Sequence, residues 1–221
     1  MRVIKRPGDF RYLTLKDKES RGIRNFMNYF EDSEFEEIIG FSIDKWRKYL
    51  KIKSSGVVEV YVSDEEILDA FLACPDELKP VFKLLVYSGS RFSHIYGMLK
   101  GFDTQNVIVE NGVAHYPTSG LSKGAKKTFH VYFPSSFLPE LENVSELKSE
   151  DYILRMIKHG RVSAKTIRKW HLNFMIGHGV QESVADFIQG RAAVTVGSAH
   201  YLNKVKQATD SYGSLILEYV V

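Results

Sequence analysis

Asn111-Gly112 stands between two strand-like runs, Val107 to Glu110 and Val113 to Tyr116. A two-residue hairpin turn needs positive φ at both central positions, and Asn-Gly supplies it with the least strain, so this dipeptide pins an antiparallel pair at one place in the chain. Phe129, Val131 and Phe133 alternate with polar neighbours and suggest a third strand, reached across the run Thr118 to Lys127. Almost everything else that repeats does so at helical spacing. The expected class is therefore α+β, mainly helical, with a small antiparallel β-sheet.

Ser63 followed by Glu66 has the spacing of a capping box and opens a helix running toward Leu72. Leu78, Val81, Phe82 and Leu85 mark a second helix that Gly89 can end, and Phe92, Ile95, Tyr96 and Leu99 mark a third just after it, with Arg91 at the junction. Ser163 can cap a helix that turns Ile167, His171, Phe174 and Met175 inward and stops near Gly177 or Gly179. Val184, Phe187 and Ile188 form another, closed by Gly190. A last helix contains or just precedes Tyr201 and is followed by a tail, Lys204 to Val221, whose end from Leu215 is apolar. Near the start, Ile23, Phe26, Met27 and Phe30 lie at helical spacing, with a second candidate at Ile43 to Leu50. Lys51 to Gly56 looks like a linker. The expected division is a helical piece with its linker, 1–56, and a main domain, 57–221.

Of the 221 residues 44% are hydrophobic, enough to bury a core. No stretch approaches the roughly 20 apolar residues of a membrane span, and the basic N-terminus leads into no apolar signal segment, which places the chain in the cytoplasm with no membrane partner. Cys74 is the only cysteine, so an internal disulfide is impossible, and the Cys/His groupings of a zinc site are missing. No metal and no cofactor are expected. The net charge of +3 says little about partners, but its distribution says more. No Asp or Glu occurs from Leu78 to Phe102, from Asn111 to Pro139, from Tyr152 to Gln181 or from Phe187 to Thr209. Either the acids cluster by chance or one face is kept free of negative charge, as a polyanion requires.

Breaking a phosphodiester with an enzyme nucleophile asks for cations around the non-bridging oxygens, a proton donor for the leaving oxygen and a hydroxyl placed in line. Arg91 has a planar fork able to hold two phosphate oxygens. Lys165 and Arg168 stand three apart at a helix start, where two cations oppose the dipole unless an anion docks there. Lys123, in Ser122-Lys123-Gly124-Ala125-Lys126-Lys127, could donate a proton, with Lys126 and Lys127 as competitors. Arg191 follows Gly190 and precedes Tyr201, the candidate nucleophile, by ten residues; Tyr212 and Tyr219 are its rivals. Taken singly, each has a plain structural alternative: a surface arginine, a solvated basic face, a hairpin tip, a packing tyrosine.

Taken in order, these residues resemble the tyrosine recombinase family. Tyr87 to Ile95 is similar to its Thr-Gly-Leu-Arg-x-Ser-Glu-Leu box, with Arg91 as first catalytic arginine and His94 where glutamate is usual. Ser122 to Lys127 resembles its Gly-Lys-Gly-x-Lys turn, which makes Lys123 the catalytic lysine. Ser163 to Trp170 resembles its Ser-x-His-x-x-Arg-His box, with Lys165 in place of histidine and Arg168 as second arginine. Ile188-Gln189-Gly190-Arg191 resembles its Leu-Gly-His segment, with arginine replacing histidine before the nucleophile Tyr201. The substitutions are similar to those in integrases of spindle-shaped archaeal viruses and archaeal plasmids. The resemblance covers about Ser63 to Lys206. It implies the family's catalytic fold and a metal-independent integrase that cuts and rejoins double-stranded DNA through a 3′-phosphotyrosyl link. It also implies a homo-tetramer on DNA, an N-terminal remnant of a core-binding domain, and a tail that packs on a neighbouring subunit. The alternatives are a type IB topoisomerase and a DNA-binding protein with weakened catalysis.

Overall fold

The computed structural model describes residues 4–32, 43–50, 61–121, 129–144, 146–191 and 198–221, with side chains of the last stretch described from residue 204 onward. The chain forms two compact units, Met1–Val58 and Glu59–Val221.

In the first unit α1 (Asp17–Asp32) carries Asp17 and Glu19 in its first turn, where negative charge suits the helix dipole. It packs against α2 (Ile43–Arg47). Phe10, Met27, Ile43 and Leu50 are buried together, flanked by Ile23, Phe30 and Trp46. Phe26, expected on the same apolar stripe, is instead 60% exposed. Ile23, Met27 and Phe30 fall close to one line down the helix, whereas Phe26 sits at its rim and meets Phe30 edge-on at 4.6 Å.

The second unit contains helices α3 (Asp64–Leu72), α4 (Lys79–Ser88) and α5 (Phe92–Lys100). Strands β1 (Ile108–Glu110), β2 (Val113–Pro117) and β3 (His130–Pro134) follow. After them come α6 (Leu138–Glu142), α7 (Glu150–Met156), α8 (Ala164–Gly177), α9 (Glu182–Ile188) and α10 (Ser198–Gly213). The described part is thus mainly helical around a three-stranded antiparallel sheet in the order β1-β2-β3.

The expected local signals form as written in the sequence. Ser63 Oγ accepts from the Glu66 N–H at 3.3 Å while the Ser63 N–H donates to Glu66 Oε2 at 3.0 Å. Asn111 (φ 51°) and Gly112 (φ 79°) turn β1 into β2, with Glu110 opposite Val113. Gly89 (φ 52°) ends α4 and donates its N–H to Leu85 O at 2.9 Å. Arg161 holds Glu66 with two bonds of 2.9 and 2.7 Å, and Trp170 Nε1 donates to Asp64 Oδ1 at 2.7 Å. The first turn of α3 is therefore tied to α8 and to the loop before it.

β3 departs from the one-sided burial that its alternation suggested: all five of its residues are buried. Helices α4 and α9 pack on β3 and α10 on β2, so these two strands are largely covered, whereas the three residues of β1 are exposed. Tyr132 meets Tyr212 of α10 at 5.9 Å. The last helix runs on to Gly213, and Ala208, Tyr212 and Leu215 are buried in this chain's own core. Beyond them, Leu217 is left exposed. Among the described residues no helix is long and apolar enough to cross a membrane, and no three His, Cys, Asp or Glu gather as a metal site.

His115 and His130 stack edge-on across β2 and β3 at 4.8 Å, and burial lowers the pKa of both. For His130, burial and then the His115 charge take it from the ordinary 6.5 to about 4. A base depressed in the folded state is neutral there and binds its proton on unfolding. Its contribution is present above pH 6.5 and is lost as pH falls toward about 4. Chemical denaturation across that window should show the midpoint falling with pH, and His130→Phe should flatten the fall.

Candidate functional site

The end of α4 and the start of α5 are separated only by Gly89-Ser90-Arg91, so Arg91 leaves the backbone at the N-cap of α5. Its Nη1 donates to Gly190 O at 2.9 Å, the carbonyl just before Arg191. Arg168, on the second turn of α8, donates from Nη1 to Gly89 O at 2.7 Å, two residues before Arg91. Each arginine is thus fastened to the backbone beside another, and three residues spread from 91 to 191 share one site.

These cations act on one another. Burial first, then the charges of Arg191 and Arg91, push the Arg168 guanidinium down to about 9, still charged at neutral pH; Asp186 opposes this and is the weakest of the four influences. Arg91 is lowered by burial and then by Arg191. Arg191 itself is exposed. A cluster of partly buried guanidiniums with this little opposing charge is arranged to take up an anion, and their forked N–H groups suit a phosphate.

Behind the arginines lies a buried polar network that sequence reading missed. His171, assigned only to the apolar face of its helix, is completely buried. Its Nδ1 accepts from Gln189 Nε2 at 2.9 Å, and its Nε2 lies 2.8 Å from Tyr87 O and 2.9 Å from Tyr219 Oη. With Nδ1 accepting, Nε2 carries the hydrogen and donates to the carbonyl. Burial, reinforced by the Arg168 and Arg191 charges, lowers its pKa to about 3 against the opposing Tyr87 bond, so the ring is neutral. Gln189 also donates to Arg168 O at 3.0 Å, which fixes the turn of α8 that carries the arginine. Gly89 is obligatory here: a Cβ would press on the His171 ring and stand 2.5 Å from Gln189 Nε2, at a φ that already disfavours a side chain. The available signal was a histidine at a core position, since a buried polar ring demands partners.

The other candidates are distributed as follows. Lys165 is exposed on the first turn of α8, three residues before Arg168. Tyr201 is the fourth residue of α10, with its side chain outside the described residues. Lys123, with its competitors Lys126 and Lys127, also lies outside them. Tyr212 and Tyr219, the rival nucleophiles, are committed elsewhere: each donates its hydroxyl to Tyr87 O at 3.0 Å, and burial raises both pKa values.

Three of the acid-free windows meet at this site, carrying Arg91, Arg168 and Arg191. A family model described as archaeal phage integrase matches residues 59–218, more than half of the chain and all three arginines of the cluster. The chain belongs to the archaeal phage integrase family. No curated protein matches it. Membership of this family implies DNA as the partner of this integrase, and DNA's backbone is a row of phosphates.

Two outcomes follow for the integrase. Because its cations repel until an anion arrives, a short duplex should raise the melting temperature by about 2–4 °C per kcal/mol of binding. Thermal unfolding should show that rise shrinking with added salt and in Arg168→Gln. Gly89→Ala should cost roughly 2–3 kcal/mol in urea unfolding, because both φ and the close approach to His171 oppose it.

Proposed function

We propose that this integrase cleaves and rejoins double-stranded DNA through a 3′-phosphotyrosyl intermediate formed by Tyr201. The observation that carries the reading is the meeting of Arg91, Arg168 and Arg191 through the Gly89 and Gly190 carbonyls. Three separated arginines brought to one point, at the cost of mutual repulsion, favour a phosphate ligand over a structural role.

In this reading the Tyr201 phenol oxygen attacks phosphorus and the bond to the 5′ oxygen breaks. The phenolic proton leaves to solvent or a neighbouring base, and Lys123 gives a proton to the departing 5′ oxygen. Arg91 and Arg168 hold the non-bridging oxygens through charge-assisted bonds, while Arg191 and Lys165 add positive charge as the pentavalent phosphorus forms. The 5′ hydroxyl of a second duplex then attacks the phosphotyrosine, the P–O bond to Tyr201 breaks, and the phenol regains its proton. Bond energy is kept throughout, so strands are exchanged without an external energy source. The cations do the neutralising that a metal ion does in other phosphoryl transfers. The unit Glu59–Val221 then has the tyrosine recombinase catalytic fold, Met1–Val58 is a remnant of a core-binding domain that helps clamp DNA, and four protomers act on two sites to integrate or excise a viral or plasmid genome.

Incubation with a nicked duplex that traps the covalent product tests this directly. Wild-type protein should yield a denaturation-resistant adduct, Tyr201→Phe none, and Arg168→Ala a rate lower by about a hundredfold or more, some 3 kcal/mol in the barrier. An adduct formed by Tyr201→Phe would remove Tyr201 from the role.

A further inference from the structure

Helices leave their last carbonyls without partners, and Tyr87 is the next-to-last residue of α4. Its carbonyl is buried and takes three donors: His171 Nε2 at 2.8 Å, Tyr212 Oη at 3.0 Å and Tyr219 Oη at 3.0 Å. Tyr212 is fully buried, with its ring against Tyr132 and Tyr219 at 5.9 Å each. The Tyr87 hydroxyl, in turn, donates to Val221 O at 2.7 Å. One residue thus gathers α8, the end of α10 and the segment after it.

The position of this anchor matters more than its strength. Two residues on, Gly89 O holds Arg168, and four residues on is Arg91 itself. α10, which Tyr212 fastens, is the helix whose fourth residue is Tyr201. Eleven residues separate Tyr201 from Tyr212, which on a helix is about 16 Å along the axis. A helix is stiff over that length, so fixing its far end limits where its first turn can lie.

We propose that Tyr212 is a positioning residue: its hydroxyl, on the Tyr87 carbonyl, holds the helix that carries Tyr201 in register with Arg91 and Arg168. This rests on Tyr201 being the nucleophile, as proposed above. Packing alone would hold the ring of residue 212 in its pocket but would leave α10 free to slide or turn by a fraction of an ångström. The directional bond removes that freedom, and in-line attack is sensitive to such displacement. Tyr219 supports the same carbonyl from beyond the helix, with its ring stacked on His171 at 6.0 Å and on Phe174 at 4.9 Å.

Tyr212→Phe keeps the ring and deletes the hydroxyl. Single-turnover adduct formation on a nicked duplex, with protein in excess, should slow by roughly ten- to a hundredfold, while the duplex dissociation constant stays within about twofold. The deficit should persist at temperatures well below the melting transition, where the variant is fully folded. Tyr219→Phe should show the same split between rate and affinity to a smaller degree, and it serves as the deciding variant if Tyr212→Phe does not fold. A folded variant with the wild-type rate overturns the proposal, as does a rate loss that only tracks the unfolded fraction. If wild-type protein forms no adduct at all, it is the recombinase reading that fails, and the two failures are told apart by that control.

Discussion

Guanidinium groups repel one another, and burial removes the water that would screen them, so the backbone oxygens bonded to Arg91 and Arg168 matter for keeping them beside Arg191. The Gly190 and Gly89 carbonyls supply that hold. Such a device neutralises nothing. A carboxylate in the same place would have cancelled the charge and spoiled the site for an anion, whereas a carbonyl dipole orients a guanidinium and leaves most of its field available. Asp186, whose field opposes the shift at Arg168, ranks below burial and both neighbouring arginines.

Because these anchors are backbone atoms, the site depends on how closely α4, α8 and α9 approach. Gly89 sets that distance: its missing Cβ is the space that the His171 ring and the Gln189 amide occupy. Neutral His171 then passes a hydrogen bond from Gln189 on one side to the Tyr87 carbonyl on the other, so the loop that bears Arg91 and the helix that bears Arg168 share a single polar network. A charged ring there would meet two nearby arginines, which together with its burial explains why it stays neutral. A missing partner in a buried network leaves a polar atom stranded, and here that atom is Gln189 Oε1, which finds no hydrogen bond among the described residues.

Much of the architecture could be read locally. Asn111-Gly112, the Ser63–Glu66 box, the Ser163 cap and the Gly89 stop all depend on bonds within a few residues, and each formed. What escaped was decided by neighbours far off in sequence. Phe26 turned outward although its spacing fitted; His130 and Tyr132 were buried although they alternate with apolar residues, because α4 and α9 pack on β3 and α10 on β2. The tail had an apolar composition, and sequence alone did not show that Tyr212 and Tyr219 would cap the Tyr87 carbonyl at the end of α4 while the Tyr87 hydroxyl donates to Val221 O. Within the site, the arginines were identifiable from residue type and order, and the residues that hold them were not, since nothing in one dimension links Gly190 to Arg91 or His171 to Tyr87.

The sequence by itself determined the menu: where helices start and stop, where the hairpin turns, and which cations stand in acid-free stretches fit for a phosphate. Those are properties of near neighbours and of side-chain chemistry, and they survive translation into any fold. Only the tertiary structure decided that residues 91, 168 and 191 meet, that the histidine between them is neutral, and that two rival tyrosines are spent on one carbonyl. Proximity across tens of residues follows from how helices pack, and packing depends on the shape of the whole core rather than on any segment of it.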